Sequence, residues 1–94
     1  MKINETIKHL QSQIKLRSLE IADWEKLRTL WKASAKHRTE ANDEWAFTDW
    51  KRYHYCKDTV RTLAKQQKIE KNLYKYLLDV RKAVGIFTDE ENHG

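Results

Sequence analysis

His54 and Cys56 are the pair in this chain whose types and closeness come nearest to reactive chemistry. A thiol beside an imidazole can be a nucleophile with its base, or half of a zinc site, if both groups converge on one point. Two residues apart on a helix, they point to different faces instead. The spacing therefore predicts no metal site, and Cys56 reads as a small core residue. His9, His37 and His93 stand away from the cysteine. Glu40, Asp43, Glu44 and Asp49 could be imagined as an acid–base pair, but nothing around them supplies a cleft. Acids at a helix start are explained by the backbone dipole. With Gly85 and Gly94 the only glycines, there is no phosphate-cradling loop. The expectation is a protein that is not an enzyme, with no metal and no cofactor.

Binding chemistry is better represented. The stretch EWAFTDWKRYHYCKD, Glu44 to Asp58, interleaves aromatic rings with cations. On a helical wheel Trp45, Ala46, Tyr53, Cys56, Val60, Leu63 and Ala64 gather on one side as a core face, with Asp49 among them. A carboxylate there requires a base from the first half of the chain. Phe47 and His54 project away from that face and Trp50 sits at its edge. Around them fall Lys57, Arg61, Lys65 and Lys68, at spacings of four, four and three, with Lys51 farther round. Flat rings bordered by a file of cations suit an acidic macromolecular surface. The competing reading buries Phe47 and Trp50 against another helix and leaves the lysines merely solvated. A second cationic row, Arg28, Lys32 and Lys36, has the same spacing in the first half, where Glu25 can pair with Arg28. Trp24 and Trp31 read as core anchors.

These residues must be carried by helices. The chain has no proline, almost no glycine, and plentiful Lys, Glu, Leu, Gln and Ala. Ile3, Ile7, Leu10 and Ile14 make a narrow stripe, with Asn4 as a candidate N-cap. Leu16, Leu19, Leu27, Leu30 and Trp31 occupy a face rotated by more than a right angle from that stripe, so either the chain turns near residues 16–19, the preferred reading, or one long helix buries two faces against two neighbours. The stretch from Lys32 to Asp43 loses apolar periodicity and is the expected loop, with Asn42 capping a helix from about Asp43 to Lys65. The polar run Lys65 to Lys68 marks a second change of phase. Ile69, Leu73, Tyr76, Leu77, Val80 and Val84 then form a clear amphipathic stripe, and Gly85 is placed to end it. The expected architecture is all-α: a compact bundle of three to four helices, or two long helical arms with phase breaks near 16–19 and 65–68. Residues 1–87 would form one domain and 88–94 a flexible acidic tail.

Charge and size bound the function. The 94 residues carry 19 Lys and Arg against 14 Asp and Glu, a net of +5. Because Asp89, Glu90 and Glu91 lie in the tail, residues 1–87 hold a net of +8. Such a balance favours acidic partners. One cysteine, no apolar run at the N-terminus and a mean hydropathy of −0.94 point to the cytoplasm and away from a membrane. Three functions follow. The first is a protein-binding regulator or inhibitor that meets an acidic partner surface through the basic, aromatic face. In size and composition alone the chain resembles accessory proteins of phages and mobile elements, some of which block nucleic-acid machinery. The second is direct DNA or RNA binding through the same cations, without any helix-turn-helix, ribonucleoprotein or zinc-finger signature. The third is a homo-oligomer, a self-associating structural protein built on the Ile3/Ile7/Leu10/Ile14 stripe.

Overall fold

Two helices account for the fold in the computed structural model, which describes the backbone of residues 2–93 and the side chains of residues 2–85. α1 runs Lys2–Glu40 and α2 runs Ala46–His93. They fold back on each other as an antiparallel hairpin measuring 79 × 14 × 14 Å. The all-α class holds. The bundle of three to four helices does not, and neither expected phase break is present: α1 passes unbroken through 16–19 and α2 through 65–68.

The reason is a seam that the polar residues disguise. In α1 the residues turned toward α2 are Ile3, Ile7, Leu10, Ile14, Arg17, Ile21, Trp24, Arg28, Trp31, Ala35 and Arg38, each buried or half-buried. Their spacing alternates four and three without a slip. α2 answers with Ala46, Asp49, Tyr53, Cys56, Val60, Leu63, Gln67, Glu70, Tyr74 and Leu77, alternating three and four. A repeat averaging 3.5 residues keeps one face of each helix against its neighbour over many turns. The Ile stripe of α1 is thus consumed by the protein's own seam.

Polar groups in the seam find partners across it. Arg17 makes a two-pronged contact with Glu70, Nε to Oε1 at 3.1 Å and Nη2 to Oε2 at 3.2 Å. Gln67 Nε2 donates to the Ile14 carbonyl at 3.1 Å and to Ser18 Oγ at 2.6 Å. Gln11 Nε2 donates to Tyr74 Oη at 2.8 Å. Nearer the turn, Asp49 is 1% exposed. It accepts from Ser34 Oγ at 2.5 Å and faces Arg38 Nε at 3.2 Å, which is the base from the first half that its position demanded. No buried side-chain nitrogen or oxygen among the described residues lacks a partner. Such contacts suit fixing the register of two long helices better than adding stability.

The turn is shorter than expected. Ala33, Ala35, Lys36 and Arg38 are good helix formers, and α1 continues through them to Glu40. Asn42 adopts φ 55°, the left-handed conformation asparagine tolerates. Its N–H donates to the Thr39 carbonyl at 3.1 Å and the Asp43 N–H to Arg38 at 2.9 Å, a Schellman ending. Asn42 therefore closes α1 instead of capping α2. Asp43 takes the second task, its Oδ1 accepting from the Trp45 N–H at 2.8 Å. At the other end Asn4 lies inside α1, and Gly85 lies inside α2, which runs on to His93. The side chains of the expected acidic tail lie outside the described residues.

Candidate partner-binding surface

Each helix has two flanks beside its seam, and antiparallel pairing joins them into two broad faces. One is basic. Arg28, Thr29 and Lys32 of α1 line a groove with Tyr53 of α2. Farther along, Lys8, Gln11 and Lys15 of α1 line a second groove with Lys71 and Tyr74. Between these levels Lys57, Arg61 and Lys68 occupy the same flank of α2, with Lys57 half-buried and the other two exposed, and exposed Lys65, two residues from both Leu63 and Gln67 of the seam, lies next to them on the back of the helix. The file continues through Lys71 and Lys75, so that from Lys57 to Lys75 it covers about 27 Å of helix.

Among the described residues these cations have no ion-pair partner. Among the described residues the ion pairs are Arg17 with Glu20 and Glu70, and Asp49 with Arg38 and Arg52. The two buried acids sit in the seam, and no carboxylate bridges Arg61, Lys65 or Lys68. The expected Glu25–Arg28 pair does not form. Like charges one turn apart repel by a few tenths of a kcal/mol per pair, so the file is a cost that the fold itself does not offset.

The aromatic residues divide between the faces. Trp50 is half-buried, its Nε1 donating to Thr39 Oγ1 at 3.0 Å, and it meets Tyr53 edge-on at 5.7 Å between centroids. That bond ties it to the end of α1, so part of its role is structural. His54 tilts against Tyr53 at 5.2 Å, and Lys32 Nζ lies 5.9 Å from the same ring. Lys32, and with it Arg28 at the same groove, is thereby brought to the Tyr53 ring that Trp50 and His54 flank, which the sequence kept apart. Phe47 is 68% exposed and Lys51 Nζ sits 4.7 Å from its ring centre. Lys51 also borders the opposite face, so it does not belong to the cationic file.

That opposite face is apolar. Trp24, Leu27 and Trp31 of α1 and Thr48, Arg52, Tyr55 and Cys56 of α2 line a groove there. Trp24 and Tyr55 meet edge-on at 5.7 Å, and the Arg52 guanidinium stacks 4.6 Å over Trp31. The core face expected for α2 is correct at Cys56 and Val60, which are buried, and at half-buried Ala46, Tyr53 and Leu63; it fails at exposed Ala64 and at Trp45, which is 57% exposed beside the turn. His54 and Cys56 point to opposite faces. Burial pushes the Cys56 thiol above its usual value, which disfavours thiolate chemistry.

Lys8, Lys15, Lys71 and Lys75 were missed because the seven-residue step from Lys8 to Lys15 was hidden among the isoleucines. Arg17 and Glu70 were missed because a charged residue is not expected on a core stripe; the Glu70 hydrogen bonds push the guanidinium further up. Among the described residues no three His, Cys, Asp or Glu side chains converge as metal ligands, and no helix is long and apolar enough to cross a membrane. No known protein family matches the chain, and neither a curated protein nor a solved structure is similar to it.

Proposed function

We propose that the protein is a non-catalytic binding protein that docks its basic face on an acidic protein surface and acts as a regulator or inhibitor by covering it. The observation that carries this reading is the file Lys57, Arg61, Lys65 and Lys68, which has no ion-pair partner among the described residues while the buried acids serve the seam. The file ends near the turn, where Phe47 and Trp45 are exposed. Rings of this kind anchor protein interfaces, and unpaired cations beside them steer and orient an acidic partner.

The lysine groove at Lys8, Lys15 and Lys71 favours a second reading, in which the same face follows nucleic-acid phosphates. One comparison separates them. The chain is used to capture partners from its host's lysate with and without nuclease, beside the double variant Arg61→Glu, Lys65→Glu. An acidic protein should be retained after nuclease and lost with the variant, at unchanged helical circular dichroism. Capture that survives the charge reversal refutes the basic face. Capture lost on nuclease treatment, with oligonucleotide affinity falling steeply as salt rises, replaces the first reading by the second.

A further inference from the structure

The apolar face is larger than this chain can use. Leu19, Leu30, Tyr55, Ile69 and Tyr76 are each more than 60% exposed, and Leu16 nearly as much. They do not scatter. Leu16, Leu19, Leu27 and Leu30 fall within a quarter-turn on α1, and Tyr55, Ile69 and Tyr76 repeat at multiples of seven on α2. Antiparallel pairing places both stripes on the same side, around the Trp24–Tyr55 groove.

The area points to an occupant of some size. A compact monomer of 11.4 kDa exposes about 5,800 Å², whereas this chain exposes 7590 Å². The difference, roughly 1,800 Å², is about twice what one partner contributes to a standard interface, and falls in the range of obligate dimers.

The layout of the face suggests what that occupant is. The groove lined by Trp24, Leu27, Trp31 and Tyr55 lies toward the turn. Leu73 and Tyr76 project from the same face toward the open end, about 25 Å away along the hairpin. Leu19 and Gln66 lie midway. A two-fold axis in the interface, crossing the hairpin near Leu19, would set the Leu73 and Tyr76 side chains of each copy at the groove of the other. A closed symmetric dimer requires this kind of self-complementarity. Charges on this side are mixed in sign: Asp23, Lys26 and Glu20 on α1, the last paired with Arg17 at 3.8 Å, and Lys51 and Arg52 at the groove, with Arg52 stacked on Trp31.

We infer that two copies of the chain pair through this face into an antiparallel four-helix bundle, with both basic faces outward. The inference is independent of the partner proposed above, because it concerns the other side of the hairpin.

Light scattering on the wild-type chain from about 1 to about 500 μM tests it first, with the helix melting temperature followed over the same range. The expected results are twice the chain mass and a melting temperature that rises with concentration. A single-chain mass throughout overturns the inference. The double variant Leu19→Glu, Ile69→Glu should weaken pairing by roughly a hundredfold or more, since it buries unpaired charge. A dimer unaffected by that variant refutes this face. Arrangement is tested by oxidation in a Cys56→Ala background. Chains carrying Leu27→Cys should cross-link to chains carrying Tyr76→Cys, and Leu27→Cys chains should not cross-link to themselves. Within one hairpin these positions are far beyond disulfide reach. Self-linked Leu27→Cys overturns the antiparallel arrangement.

Discussion

Asp49 shows how single residues hold this hairpin together. It is sealed beneath the turn, where Ser34 and Arg38 from α1 and Arg52 from its own helix converge on its two oxygens. Asp49→Ala leaves the Ser34 hydroxyl and the Arg38 guanidinium without a partner. Loss of a buried pair commonly costs 3–5 kcal/mol, but Arg38 is partly open to water, so the expected loss is about 2–3 kcal/mol in urea unfolding. Asp49→Asn retains an acceptor for Ser34 and should lose less. Cys56 offers a second measurement. Burial favours its neutral thiol in the folded state, raising its pKa above the ordinary value of 9.0. The stability this contributes is present below that value and is lost as pH rises through it toward the folded pKa. Iodoacetamide should therefore label native Cys56 at least about tenfold more slowly than the unfolded chain, and the urea midpoint should fall between about pH 8 and pH 10. Equal labelling rates would place the thiol on the surface.

The helices were only partly readable in the sequence, and the failure is informative. The Ile3, Ile7, Leu10, Ile14 stripe and the all-α class followed directly from spacing and composition. Continuity did not. A wheel drawn at 100° per residue drifts about 20° per heptad from a 3.5-residue repeat, so a steady seam turns slowly and looks like a change of phase. Arg17, Gln67 and Glu70 sit on the seam at the places where breaks were expected, replacing the apolar residues that would have revealed it. Leu16, Leu19 and Leu30 compounded the error. An apolar stripe is expected to be buried in its own chain, so a second stripe implies a second helix. The basic face was half visible, since Lys57 to Lys68 is one file on one helix, whereas its union with Lys8, Lys15 and Lys32 depends on the pairing of α1 with α2. Continuity itself can be tested at Ser18. Proline is tolerated in many turns but removes a hydrogen bond and clashes within a helix, so Ser18→Pro should cost about 3 kcal/mol or more and shorten the helical signal. Full stability in that variant would restore the turn.

The hairpin as a whole separates two kinds of surface on opposite sides of a rod 79 Å long and 14 Å across. A radius of gyration of 21.7 Å, against about 12 Å for a compact chain of this length, reflects that elongation, which spreads both faces along the hairpin. Their physics differs, and so must their response to salt. Contacts that Arg61, Lys65 and Lys68 would make to the proposed acidic partner are exposed and screened once the Debye length falls to a few ångströms. Contacts made by Leu19, Ile69 and Tyr76 involve no charge and strengthen when sulfate or similar salts are excluded from apolar surface. Between about 50 mM and about 500 mM sodium sulfate, affinity for the acidic partner should therefore drop at least about tenfold while the dimer holds or tightens. Light scattering and partner binding measured on the same samples give both curves. If the two affinities fell together, the same cations would be carrying both contacts, and the division of the hairpin into a charged side and an apolar side would be wrong.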